Sequence, residues 1–82
     1  MPLRLAVIKI KSDWSKPYNN RGWVYYLLKD YKKAIEDFNK AISINSKFAN
    51  AYHNRGLCYQ AINENEKALA DFNKAKALGY KN

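Results

Sequence analysis

An all-α fold of stacked antiparallel helical hairpins is the architecture this sequence predicts, and two observations carry it. The first is an internal repeat. Asn20-Arg21-Gly22 through Phe38-Asn39-Lys40-Ala41 returns as Asn54-Arg55-Gly56 through Phe72-Asn73-Lys74-Ala75, with Gly22 and Gly56 34 residues apart. The same shift superposes Tyr18 on Tyr52, Tyr25 on Tyr59, Lys33 on Lys67, Ala34 on Ala68, Asp37 on Asp71 and Lys47 on Lys81, making 13 identities over 34 aligned pairs with no insertion. A fixed period of this size marks a helical repeat array. The second observation is that apolar residues within each copy recur three and four apart, the period of a helix face.

The frame divides the chain into residues 1–14, a first repeat over 15–48 and a second, cap-like repeat over 49–82. Leu3, Leu5 and Val7 alternate weakly like a strand, but an isolated strand would have no pairing partner. Sliding the frame back sets Val7-Ile8-Lys9-Ile10 under Ala41-Ile42-Ser43-Ile44 and Trp14 under Phe48. On that reading the segment is the tail of a preceding second helix, or an association segment that packs with another copy.

Ser15 is the expected N-cap of the first complete helix, because Pro17 lacks an N–H and fits only in a first turn. Tyr18, Val24, Tyr25 and Leu28 form its apolar stripe, and Gly22 on the same side lets another helix approach closely. Asp30 caps the second helix, whose buried face is Ala34, Ile35, Phe38, Ala41 and Ile42. A connection this short forces the pair to lie antiparallel. Ser46 is the expected cap of the third helix, with Tyr52, Gly56, Tyr59 and Ile62 facing inward. Asn63 and Glu66 have the spacing of a capping box for the fourth helix, which presents Ala68, Leu69, Phe72, Ala75 and Leu78. Gly79 supplies a left-handed C-cap that stops this helix at about Leu78.

Tyr, Gly, Tyr, Ala, Phe and Ala at repeat positions 4, 8, 11, 20, 24 and 27, matched twice in register, resemble a tetratricopeptide repeat. Two positions depart from the family pattern: Arg21 and Arg55 stand where Leu is common, and Ser46 and Tyr80 where Pro is common. The resemblance implies a right-handed solenoid whose first helices line a concave groove that binds an extended peptide or a helix of another protein. It places Lys16, Asn19, Asn20, Trp23, Tyr26 and Leu27 in the groove from the first repeat. From the second it places Asn50, His53, Asn54, Leu57, Gln60 and Ala61.

Trp23 and Tyr26 lie off the apolar stripe, so their size calls for a second explanation: a partner surface, where Trp and Tyr act as anchors, or packing onto the neighbouring repeat. Asn20 and Asn54 recur at one repeat position, and an amide can both donate to and accept from a peptide backbone; the pair resembles the asparagine ladder of some tetratricopeptide arrays. The likeness to the family's carboxylate clamp is partial. Lys16 and Asn54 match, whereas Asn19 stands in place of a Lys and Trp23 in place of an Asn, so a clamp is not expected.

Arg21 and Arg55 each precede an Asp by 16 residues, Asp37 and Asp71, which reads as a charge-assisted bond within each hairpin. On that reading Arg55→Leu would leave the fold intact and change stability little or upward. Gly22, Gly56, Tyr25, Tyr59, Phe38, Phe72, Ala34 and Ala68 are assigned to the framework.

Charge bounds the alternatives. The chain has 15 Lys and Arg against 7 Asp and Glu, and Arg4, Lys9, Lys11, Lys16, Arg21 and Lys29 face only Asp13 in the first 29 residues. With Trp14, Trp23, Tyr25 and Tyr26 interleaved, a basic nucleic-acid module is the alternative function; solvated lysines that keep the chain soluble are the simpler account. A self-assembly module is a further alternative, since Leu3, Leu5, Val7, Ile8 and Ile10 have no complete hairpin to join and would cover the first repeat or pack with a second copy. At the other end Tyr31 becomes Asn65 and Ile42 becomes Lys76, as expected of a capping repeat.

An enzyme is not expected. The one Cys, Cys58, and the one His, His53, are five residues apart on one helix and point to different sides, and there is no phosphate-binding loop. Neither a metal nor another cofactor is expected. The lone cysteine and the charge-interrupted start point to a soluble protein of a reducing, cytoplasmic compartment.

Overall fold

The computed structural model describes residues 14–81; the segment before Trp14, with the roles suggested for it, lies outside the described residues. Four helices follow one another: α1 (Ser15–Leu27), α2 (Tyr31–Ile44), α3 (Ala49–Ala61) and α4 (Asn65–Ala77). α1 packs on α2 and α3 on α4 as two hairpins, α3 also packs on α2, and α1 touches α3 more lightly. Each helix is too short to hold its form alone. Burial of one face against its neighbours supplies the difference.

The core is narrow and repeats. Ala34, Phe38 and Cys58 form a fully buried cluster, with Tyr25, Tyr26, Tyr31 and Ile35 packed around it, so the seam between the hairpins is made by α1, α2 and α3 together. Ala41, Ala51 and Ala75 are buried as well. Small residues bring the helix axes close enough for the aromatic rings to fill the remaining space. The closest approach is at the glycines: a Cβ on Gly22 would stand 2.7 Å from Phe38 Cε1, and one on Gly56 2.7 Å from Phe72 Cε1.

Three of the expected caps move. Trp14, not Ser15, is the N-cap of α1, and Ser15 is a buried first residue of the helix. At the second corner the Asn45 side chain accepts from the Lys47 N–H at 3.1 Å, while Phe48 is the N-cap of α3. Ser46 instead offers its carbonyl to the Tyr52 hydroxyl, 3.0 Å away. Asp30 caps α2 as expected, accepting from the Lys33 N–H.

The hairpin turns explain the third shift. Lys29 and Asn63 adopt left-handed φ values of 63° and 65°. Asp30 N–H donates to Tyr25 O and Lys29 N–H to Tyr26 O, and Glu64 and Asn63 repeat the pattern on Tyr59 and Gln60. These are Schellman closures. Asn63 therefore ends α3 and cannot open a capping box, and the N-cap of α4 passes to Glu64. Gly79, at φ 97°, closes α4 in the same manner after Leu78.

Three stripes are also corrected. Val24 of α1 and Leu28 just beyond it are exposed, as are Leu69 of α4 and Ile62 just beyond α3. Cys58, the counterpart of Val24, is buried because a hairpin precedes it. The described residues put no hairpin ahead of Val24 or after Leu69.

Candidate functional site

Each hairpin carries the same charged and aromatic ladder. Arg21 donates through Nε and Nη2 to the two carboxylate oxygens of Asp37, both at 2.8 Å, and Arg55 does the same to Asp71 at 2.8 and 2.7 Å. The guanidinium carbon of Arg21 lies 5.8 Å from the Tyr18 ring and 5.9 Å from Tyr25, with Lys40 over Tyr18 and Lys33 over Tyr25. Arg55, Tyr52, Tyr59, Lys74 and Lys67 reproduce it. Hydrogen bonding and the charge of the partnered aspartate raise both arginines above their ordinary pKa, so the ladders remain cationic at any working pH.

The geometry argues for the opposite sign for Arg55→Leu. Asp71 is buried, and among the described residues its carboxylate accepts from Arg55 alone. A leucine would leave that carboxylate without a partner, which costs far more than the exchange of a whole pair.

The face of the first helices is built from the residues left over by this ladder. On α1, Lys16, Asn20, Trp23 and Leu27 are exposed, and Tyr26 is half-buried. Trp23 stacks on Tyr26 with ring centroids 5.1 Å apart, and Tyr26 leans on Tyr31 of α2. The pair thus stands on α2 yet leaves Trp23 37% exposed. On α3, Asn50, Gln60 and Ala61 are exposed, while His53, Asn54 and Leu57 are half-buried.

Asn19 differs from the other groove candidates. It is buried, and its Oδ1 accepts from Asn54 Nδ2 at 3.2 Å. The ladder of Asn20 and Asn54 is therefore unequal: Asn20 is open to solvent, whereas Asn54 spends one donor joining α3 to α1. Only a cross-register view, pairing position 5 of one repeat with position 6 of the next, could have shown this in the sequence.

His53 lies against the last residues of the described chain. Its ring stacks on Tyr80 at 4.0 Å and is tilted against Phe72 at 5.3 Å, and burial lowers its pKa from 6.5. Tyr80 was not foreseen in this role; a ring at a position where the family favours Pro was the available signal. Cys58 is fully buried in the seam, and burial pushes its thiol up to about 12. A thiol that weakly acidic supplies no nucleophile at neutral pH. Among the described residues no cluster of three His, Cys, Asp or Glu could hold a metal, and no helix is long and apolar enough to cross a membrane.

Comparison with characterised proteins gives no match. Two tetratricopeptide-repeat family models do match, one over residues 15–48 and the other over residues 38–70, running together from the start of α1 into α4. With the all-helical hairpins of the fold and the doubled Tyr-Gly-Tyr-Ala-Phe-Ala pattern, these matches establish that the chain belongs to the tetratricopeptide-repeat family, a family of non-catalytic interaction repeats.

Proposed function

We propose that the chain is a non-enzymatic scaffold whose first-helix face binds an extended peptide or a helix of another protein. The observation that carries this is the Trp23–Tyr26 stack, an aromatic platform braced from behind by Tyr31 and left open in front. A rigid, half-desolvated aromatic pair binds at low entropic cost. Asn20 and the free carbonyl side of Asn54 flank it with groups suited to a peptide backbone, and Lys16 adds one cation. α1 and α3 carry no Asp or Glu between them, so the ligand best suited to this face presents a hydrophobic side chain to Trp23 and tolerates or supplies negative charge. A cytoplasmic setting is part of the proposal, in keeping with the cysteine usage.

The nucleic-acid reading has weaker support. Lys33, Lys40, Lys67 and Lys74 lie over tyrosine rings, Arg21 and Arg55 are paired with aspartates, and Tyr25 is half-buried beneath Arg21 and Lys33. These groups are already engaged within the fold.

Selection of binders from a random peptide display library tests the proposal. Peptides enriched on the intact chain are expected to lose at least about tenfold in affinity for Trp23→Ala and to keep it for Glu36→Gln on the opposite helix. Enriched peptides that bind Trp23→Ala unchanged would overturn the reading.

A further inference from the structure

The seam between the two hairpins is held by three contacts that α3 makes with the hairpin before it. Arg55 Nη1 donates to Asn39 Oδ1 of α2 at 2.9 Å, Asn54 donates to Asn19 of α1, and Cys58 closes over Ala34 and Phe38. Shifting each partner by one repeat finds both halves of a second such seam, on opposite sides of the two described hairpins.

The receiving half is on α3 and α4. Asn73 takes the place of Asn39, Phe72 that of Phe38, Leu69 that of Ile35 and His53 that of Asn19. Phe38 is 0% exposed, while Phe72 is only partly covered and Leu69 is 61% exposed. A cleft of about 410 Å³ lies there, with His53, Leu69, Phe72, Asn73, Lys76 and Tyr80 in its walls. The inserting half is on α1, where Arg21, Asn20 and Val24 take the places of Arg55, Asn54 and Cys58. The Arg21 side chain is 61% exposed against 20% for Arg55. It makes the same two bonds to its aspartate, and among the described residues nothing accepts from its Nη1.

We infer that α1 of a second copy of this chain docks on the α3–α4 end in the register α3 uses on α1 and α2, with Arg21 of one copy donating to Asn73 of the other. Val24 then lies over Phe72 and Ala68, beside the His53 ring and the Tyr80 stacked on it. The occupant is a second copy because the complementary arginine, asparagine and apolar position are all on α1 at one fixed spacing. The contact is heterologous: each added copy leaves a fresh receiving end, so association proceeds past the dimer. It is weaker than the seam within one chain, because Tyr26, Tyr31 and Ile42 are replaced by Gln60, Asn65 and Lys76 on the receiving side. Two copies with a net charge of +8 each also repel one another, so screening by salt favours the contact.

Sedimentation equilibrium of the full chain up to about 1 mM tests this. The weight-average mass is expected to climb past twice 9.6 kDa and to rise further with added salt. Asn73→Arg blocks the receiving end by setting a cation against Arg21, and Val24→Lys blocks the inserting end; both positions are exposed. Each variant alone is expected to be monomeric, and an equimolar mixture is expected to form a dimer and stop there, since one intact inserting end meets one intact receiving end. Intact chain that stays monomeric to about 1 mM, a mass that saturates at the dimer, or a mixture that remains monomeric overturns the proposal.

Discussion

Phe38 and Phe72 occupy equivalent positions but tolerate crowding differently. A methyl on Gly22 would meet a ring that is 0% exposed and closed in by α3, whereas a methyl on Gly56 would meet a ring at an open end. Alanine gains about 1 kcal/mol in helix propensity over glycine, but overpacking an enclosed ring costs about 1–3 kcal/mol. Gly22→Ala is therefore expected to lower stability by about 1 kcal/mol and Gly56→Ala to lower it less or raise it, as measured by urea denaturation. Equal losses would contradict the assigned roles of the two ends. At Arg55 the prediction is a loss of about 2–3 kcal/mol for Arg55→Leu, smaller than for a fully buried pair because the arginine is partly exposed. The double change Arg55→Leu with Asp71→Leu is expected to recover most of it. A single variant as stable as the parent would show that Asp71 finds water instead.

The elements were legible where the helix period and the repeat agreed; at the turns Asp30 and Gly79 were legible, but the N-caps of α1, α3 and α4 were not. Ala34, Phe38 and Ala41 lie on the buried face of α2 as their spacing predicts, because one side chain in each turn meets the same neighbour. The turns followed other physics. Lys29 has no sequence mark of a left-handed residue, yet the three-residue link from α1 to α2 demands one. The strain of a side chain there makes Lys29→Gly a stabilising change of about 0.5–1 kcal/mol, with a smaller gain for Asn63→Gly, since Asn adopts this conformation more readily. Unfolding midpoints of the two variants check it; a loss on Lys29→Gly would mean that the lysine side chain itself holds the turn.

The end of the second hairpin adds a pH dependence. Burial holds His53 below 6.5 in the folded chain, so the unfolded chain takes up the proton first as pH falls. The contribution of the neutral His53–Tyr80 stack is complete above about 6.5 and declines as pH drops through that value toward the folded pKa. The urea midpoint is expected to fall between pH 7 and 5.5 in the parent and to fall less in His53→Gln. A midpoint that rises over this range would contradict the sign.

For the whole molecule, the periodic residues announced the architecture and concealed much of the surface. Six of the repeated positions, Tyr18, Arg21, Tyr25, Lys33, Asp37 and Lys40 with their counterparts, serve one ladder inside each hairpin. The strongest signal in the sequence thus reports how a hairpin is held together, and says little of what it binds. The aromatic platform of the proposed face is drawn from positions that vary between the copies, Trp23 against Leu57 and Tyr26 against Gln60, so periodicity could point to it only by what it left unexplained. Asn19 shows the limit: its partner is in the next repeat at a different position, a relation that no single-frame comparison displays.

The most direct test of the central claim is a map of backbone amide chemical shifts in the full chain on titration with a peptide selected for binding. The account predicts saturable changes gathered on Lys16, Asn20, Trp23, Tyr26, Asn54 and Leu57, with α2 and α4 unmoved outside their contacts with those residues. Changes centred on the outer surfaces of α2 and α4, with Trp23 and Asn20 unaffected, would contradict it.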